Sequence, residues 1–285
     1  MNKGSVIFCS IESGILNTFK SDNNTKIDLT DMRKFHNKIK NELISQATKL
    51  TSDKKDLNLL DLAVGRGGDL FKWKANGIKS VLGIDNDKSS LFSSINKGDK
   101  FDGAVNRLKS SNVGNLRVRY HELSVLDPNV LEKLNNLDRG IKYSIVSCQF
   151  AFHYFSGKEL YNTLDLISSK LKPGGIFIGT LTDGDLVKLN NNTKLGFLEI
   201  KEATKDKYIL NIKSSDLNYF DVIQKDNLEN YTPKEKLVKY AGYFGLELVE
   251  INSFYNWYNF FKYNLTVPEQ MISFLNFSIV LRKIK

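Results

Sequence analysis

The sequence predicts an α/β protein built on a mostly parallel sheet with helices on both faces. Three observations carry that expectation. From about residue 57, short β-branched runs alternate with amphipathic helical stretches, the pattern of strands joined by helical crossovers. The first run stops at a glycine-rich turn, "AVGRGGD" (63–69), and an amphipathic segment follows at once. The composition is that of a folded chain: 285 residues, 41% hydrophobic and 26% charged, enough to bury a sizeable core as one large domain or two small ones.

Taken in order, residues 1–56 read as an N-terminal extension with one strong helix over 30–50. Thr30 is a fair N-cap, and Phe35, Ile39, Leu43 and Leu50 form an apolar stripe. Arg33, Asn37 and Lys40 fall on one neighbouring face by their spacing; taken alone, that is a solvated basic face. Strands follow at "LNLLDLAV", "SVLGID", "LRVRYHEL", "YSIVSCQF", "GGIFIGTL", "LELVEI" and "FSIVLRK", and helices at 86–97, 126–137, 157–171 and 233–244. "KPGG" (172–175) ends one helix and begins a strand. Residues 184–231 break the rhythm, polar and Asn/Lys-rich with a strand-like "YILNIK", and read as an insertion or lid on the domain that spans 57–285.

The bulk properties narrow the function. An excess of 41 Lys+Arg over 32 Asp+Glu gives a formal charge of +9, which suits a polyanionic partner as well as it suits mere solubility. Cys9 and Cys148 sit at no metal-ligand spacing, and His36, His121 and His153 are scattered, so neither a disulfide framework nor a metal is expected. No apolar run has the length of a membrane span and the N-terminus is too polar for a signal peptide. The expectation is an intracellular soluble protein.

The glycine turn can be tested against the ligands such turns hold. A dinucleotide fingerprint fails because Leu70 stands at its third glycine, and a phosphate loop fails for want of Gly-Lys-Ser/Thr. What remains is Asp61 in the strand, Gly65 and Gly67 in the turn, Asp69 after it, and Asp85 ending the next strand. A carboxylate at Asp85 can accept both ribose hydroxyls of an adenosine. Asp61 and Asp69 would repel a pyrophosphate, yet they suit an ammonium and a sulfonium, the groups of S-adenosylmethionine. The competing reading is a plain strand-to-helix turn with Asp69 as helix cap.

Here "LLDLAVGRGGDLFKWKANGI…VLGIDND" resembles motif I and its successor in the mRNA cap guanine-N7 methyltransferases, with Val64 and Arg66 in place of the usual Cys and Lys. Three further segments support the likeness: "DMRKFHNKIKNELI", where His36 replaces the first Asn of the family pattern; "SIVSCQFAFHYFS", which matches at Ser147, Gln149, Phe150, His153 and Tyr154; and "NLENYTPKEKLVKYAGYFGLEL". The resemblance spans roughly residues 30 to 285, and is nearest to the methyltransferase domains of large DNA virus capping enzymes of the African swine fever virus type. It implies a class I (Rossmann-like) methyltransferase fold, a mostly parallel seven-stranded sheet, and transfer of the methyl of S-adenosylmethionine to N7 of the 5′ cap guanosine, leaving S-adenosylhomocysteine.

By that resemblance Lys40, Asp61, Gly65, Gly67, Asp69, Asp85, Ser124 and Gln149 hold the cofactor, Lys40 through the methionine carboxylate. Asn37, Phe150, His153, Tyr154, Glu229 and Phe277 hold the cap guanosine. Glu229, read as a loop residue, accepts from N1–H and the exocyclic amine of guanine. Phe277 takes the place of a family Tyr that covers the cap, and Leu123-Ser124 replaces a family Asp-Ser that reads adenine. No general base and no metal are implied; Gln149, His153 and Tyr154 only position. The implied partners are capped mRNA and the triphosphatase and guanylyltransferase domains of a longer capping enzyme, in the cytoplasm at viral replication sites or in the virion. Two alternatives remain: another class I S-adenosylmethionine-dependent RNA or protein methyltransferase, and a non-catalytic RNA-binding capping subunit.

Overall fold

A computed structural model describes residues 26–214 and 228–284; the rest of the expected N-terminal extension and part of the expected 184–231 insertion lie outside the described residues. Helix α1 (Thr30–Leu50) comes first, then β1 (Asn58–Leu62), α2 (Leu70–Ala75), β2 (Ser80–Asp85), α3 (Lys88–Phe92) and α4 (Ala104–Lys109). Next are β3 (Arg117–Glu122), α5 (Val130–Asp138), β4 (Tyr143–Gln149), α6 (Gly157–Lys170), β5 (Leu171–Thr182) and α7 (Gly184–Leu189). The chain continues through β6 (Leu198–Thr204), β7 (Lys207–Ile212), β8 (Leu228–Asn230), α8 (Lys234–Tyr243) and β9 (Leu246–Ser253). It closes with α9 (Phe254–Phe261), α10 (Val267–Ser273) and β10 (Asn276–Lys283).

Seven strands form one sheet in the order β3-β2-β1-β4-β5-β10-β9. Neighbours from β3 to β5 pair in parallel, and β10 runs antiparallel to both β5 and β9. The central strands are continuous apolar runs because both faces are covered. Leu59, Ile145 and Val280 face a core shared with α1, α2, α9 and α10, whereas Leu60, Val146, Phe177 and Ile279 face α6 and α8. The strand order reverses between β1 and β4, so a crevice opens at their C-terminal ends, where open α/β sheets bind ligands. A second sheet, β6-β7-β8, is antiparallel.

Several local expectations change. Thr30 is not the cap of α1: it is the first helical residue, and its N–H donates to Asp28 Oδ1 at 2.9 Å. The Met32 N–H donates to Glu269 Oε1 at 2.8 Å, so a buried carboxylate from α10 takes up a donor the helix cannot satisfy itself. The expected 86–97 helix breaks at Ser93, whose backbone turns extended, and a 3-10 turn follows at Ile95–Lys97. "KPGG" lies inside β5 rather than before it, at a register shift against β4. Gly174 there has φ +73°, and a Cβ on Gly175 would sit 2.8 Å from the Lys172 carbonyl, so the glycines let the strand bulge.

Candidate active site

The glycine turn is built from left-handed backbone. Ala63, Gly65 and Gly67 have φ of 64°, 54° and 68°, and the Val64 N–H reaches the Ile84 carbonyl at 2.9 Å. Gly67 is required twice over: besides its φ, a Cβ would lie 2.9 Å from the Tyr120 hydroxyl. Asp85 locks the turn to β2, its Oδ2 accepting from the Gly65 N–H at 2.7 Å and its Oδ1 from the Asp87 N–H at 2.9 Å. Burial nevertheless holds the Asp85 carboxyl above its ordinary pKa.

Asp69 does not act as a helix cap; its side chain makes no capping bond. Its Oδ1 pairs instead with Lys40 Nζ of α1 at 2.8 Å and Lys72 Nζ of α2 at 2.9 Å. Despite burial, those two ammonium groups pull its pKa down to about 2. Asp61, 2% exposed, is the opposite case. Burial first, then the charge of Asp69, pushes its pKa well above the ordinary value. Asp61 Oδ1 and the Tyr120 hydroxyl have no hydrogen-bond partner among the described residues. A buried carboxylate oxygen with nothing to bind, inside a cradle a Cβ would fill, fits a ligand bringing N–H donors and positive charge, as S-adenosylmethionine does. Ser124 follows β3 beside this site, with its Oγ accepting from the Leu126 N–H at 3.1 Å.

The second cluster sits after β4. Gln149 is held by Thr180 Oγ1 (3.0 Å) and Ser147 Oγ (3.2 Å). Phe150 takes φ 56°, unusual for a bulky residue, and is fixed there by its N–H on the Thr180 carbonyl at 2.8 Å. One ring face is covered by His36 of α1, with centroids 5.2 Å apart and planes within 18°. His36 is buried, bonds Ser273 Oγ at 3.0 Å, and has its pKa lowered to about 3 by burial and then by Lys40. Asn37, the next residue, is half-buried alongside Arg33 and Lys40.

His153 is buried in a 3-10 turn (Phe152–Tyr154), and its Nε2 lies 3.9 Å from Glu229 Oε1. Burial lowers its pKa, which Glu229 partly offsets. Tyr154 packs on its ring at 4.3 Å and is 37% exposed. Glu229 is not in a loop: it is the middle residue of β8 and 3% exposed. Its Oε2 accepts from the Tyr208 hydroxyl and from Thr182 Oγ1 at 3.4 Å.

The two clusters therefore join Lys40, Asp61, Asp69 and Asp85 on one side to Phe150, His153, Tyr154 and Glu229 on the other, with Gln149 and α1 between. Phe277 is the exception. It has no exposed surface and points to the face of the sheet covered by α6 and α8, with Lys234 Nζ 5.2 Å from its ring; it cannot cover a ligand. Lys72, Tyr208 and Thr182 are additions. Lys72 lies three residues after Asp69 on a helix, a spacing visible in the sequence. Tyr208 meets Glu229 only because β7 and β8 pair these residues directly.

Comparisons with known proteins give the family and the fold. The mRNA (guanine-N(7))-methyltransferase domain model matches residues 16–272. The mRNA cap guanine-N(7) methyltransferase of Caenorhabditis elegans is 34% identical over 160 residues, covering 55% of this chain and 40% of that protein. A probable mRNA-capping enzyme of Acanthamoeba polyphaga mimivirus is 30% identical over 271 residues, covering 81% of this chain and 22% of that protein. The match thus spans well under half the length of either relative. Among solved structures, an S-adenosylmethionine-dependent methyltransferase from Clostridium acetobutylicum aligns at a TM-score of 0.54 and 14% identity, over 89% of this chain and 92% of that one. A Burkholderia thailandensis N1-methyltransferase with bound S-adenosylhomocysteine aligns at 0.50 and 14% identity, over 99% and 87%. These likenesses speak for the fold alone, that of class I S-adenosylmethionine-dependent methyltransferases. With the family model covering most of its length, the chain belongs to the mRNA (guanine-N(7))-methyltransferase domain family.

Proposed function

We propose that this chain transfers the methyl group of S-adenosylmethionine to N7 of the cap guanosine of mRNA. The observation that carries the proposal is Glu229: a buried carboxylate, held by Tyr208 and Thr182 through one oxygen and beside the ring of His153. Lys40, Asp61, the Gly65–Gly67 turn, Asp69, Asp85, Ser124 and Gln149 would hold the cofactor, which when bound supplies an electrophilic methyl on a sulfonium leaving group. Asn37, Phe150, His153, Tyr154 and Glu229 would hold the guanosine. Since Oε2 of Glu229 already takes two hydroxyl donors, Oε1 is the oxygen with capacity for the guanine edge.

Guanine N7 has a free lone pair and bears no proton, so these residues have no proton to remove. Their work is to hold the acceptor in line. Orientation of that kind can supply roughly 7–11 kcal/mol of barrier reduction in favourable cases. Phe150, fixed at its strained φ and backed by His36, offers a rigid ring for stacking. His153, with its pKa depressed, stays neutral and serves as a wall.

The same proposal takes 57–285 as the methyltransferase domain and 184–231 as a lid, because that segment contributes β8 and so Glu229. Capped mRNA is the proposed substrate, and triphosphatase and guanylyltransferase domains of a longer capping enzyme the proposed partners. The mimivirus match over 81% of the chain supports a viral setting. The test compares capped RNA, uncapped RNA and a free GTP analogue as methyl acceptors. Transfer to N7 of capped RNA, with none to uncapped RNA, is expected. Methylation of uncapped RNA would point to another RNA methyltransferase, and failure to bind the donor in calorimetry would point to a non-catalytic subunit.

A further inference from the structure

Helix α9 and the loop after it carry the segment "FYNWYNFFKY", whose aromatic residues do two different jobs. Phe254 and Trp257 are buried, and Tyr258 and Phe261 pack edge-on against Phe35 of α1 at 6.3 and 6.4 Å. Phe260 points the other way. At 69% exposed it is the most exposed large hydrophobic side chain among the described residues, and Trp257 props it edge-on at 5.7 Å. Folding gains little from a ring left in water, so what matters is the surface in which this one is set.

The surface beside Phe260 is basic. Lys38 Nζ lies 4.4 Å from the centroid of the Phe261 ring and 5.9 Å from that of Tyr263. Lys34, paired with Asp31 at 2.8 Å, and Lys262 are both exposed. No carboxylate lies within ion-pairing distance of Lys38 or Lys262 among the described residues. At 3.6 residues per turn, Lys34 and Lys38 lie about 60° and about 100° around α1 from Asn37. A strand leaving Asn37 would therefore cross both lysines before meeting α9. The inner side of α9 is continuous with the site as well, since Phe254 touches His36 at 5.0 Å and Phe150 at 5.9 Å.

We propose that this surface, from Asn37 across Lys34 and Lys38 to Phe260, is the track for the single-stranded RNA that follows the cap. The phosphates run along the lysines and one base stacks on Phe260, without preference for its identity. The inference rests on the cap reading above for the polarity of the strand. Cations interleaved with an exposed ring are what sequence-tolerant single-strand binding uses.

The experiment uses a capped oligonucleotide RNA carrying 2-aminopurine near its 5′ end, with the cap dinucleotide as the short acceptor. Phe260→Ala and Phe260→Leu are expected to weaken RNA affinity at least about fivefold and abolish the stacking quench. Phe260→Trp retains both, and methylation of the cap dinucleotide stays unchanged in all three. RNA affinity and quenching that ignore all three substitutions would overturn the track. So would retention in Phe260→Leu with loss in Phe260→Ala, which marks an apolar protein contact instead. If wild-type protein methylates neither acceptor yet binds RNA in a Phe260-dependent way, the cap reading fails and the track stands. If the dinucleotide is methylated while RNA binding ignores Phe260, the track fails and the cap reading stands.

Discussion

Burying a carboxylate as deeply as Glu229 is costly without hydrogen-bond donors, and the Tyr208 hydroxyl supplies one to Oε2. In Glu229→Gln the amide oxygen can still accept from Tyr208, leaving the NH₂ to take the place of Oε1. That donor would then face the donors of guanine. Losing one partner of such a contact costs on the order of 2–5 kcal/mol, so cap methylation is expected to fall by about 30-fold or more. Donor affinity and melting temperature should hardly move. Near-normal methylation would remove Glu229 from the site, and a parallel loss of donor binding would make it structural. Tyr208→Phe makes a subtler test: Glu229 keeps its side chain and loses one of the two hydroxyls that hold Oε2, so KM for the cap should rise by about tenfold with donor affinity intact. Asp85→Ala reaches further than a ribose contact, because it also strips the acceptor from the Gly65 and Asp87 N–H groups. Calorimetry should show S-adenosylmethionine binding weakened by more than about tenfold; unchanged affinity would refute placing the cofactor at the ends of β1 and β2.

Helix α1 shows what a sequence reveals and what it conceals. Its length and its Arg33, Asn37, Lys40 face are legible from a 3.6-residue period, and the seven strands of the large sheet from short β-branched runs, largely apolar at β1, β2 and β4 but interrupted by charges at β3 and β9. Its cap is not, because Asp28 and Glu269 replace Thr30, and Glu269 lies 237 residues away from Met32. The pairing of Tyr208 with Glu229 is hidden for the same reason. Helices α9 and α10 escape because they are only eight and seven residues long and, in α9, the exposed rings of Tyr255 and Phe260 blur the polar face that Asn256 and Asn259 mark; α4 and α7 are only six residues long. The same long-range packing buries His36, and this has a consequence for stability. An unfolded chain protonates His36 near its ordinary pKa of 6.5, whereas the folded chain resists until about 3. Between those values the unfolded state binds more protons, so stability falls as pH falls, by about 1.4 kcal/mol per unit. His36→Phe keeps a ring against Phe150 and removes that proton. Its stability relative to wild type should therefore improve steadily from pH 6.5 down to about 3 in denaturant titrations. A constant difference across that range would show that His36 is not held neutral by the fold.

At the scale of the whole molecule the question is whether the net charge of +9 acts locally or merely keeps the protein soluble. Contacts to a single strand release counterions, and the logarithm of affinity then falls with the logarithm of salt at a slope of about −0.7 per phosphate neutralised. Lys34, Lys38 and Lys262 beside Phe260 would give a slope of about −2, so raising salt from about 50 to about 200 mM should cost about twentyfold in capped-RNA affinity. Replacing Lys38 and Lys262 with alanine should reduce the slope to about −0.7 and the loss to about threefold. Replacing exposed lysines remote from α1, such as Lys133 on α5, which is paired with Asp127, should leave the slope alone. Fluorescence anisotropy across a salt series measures all three proteins. Equal slopes in all of them would mean that the charge is spread as a solubilising coat. A slope that collapses only with Lys38 and Lys262 replaced would mean that the basic excess is concentrated where the strand must leave the site.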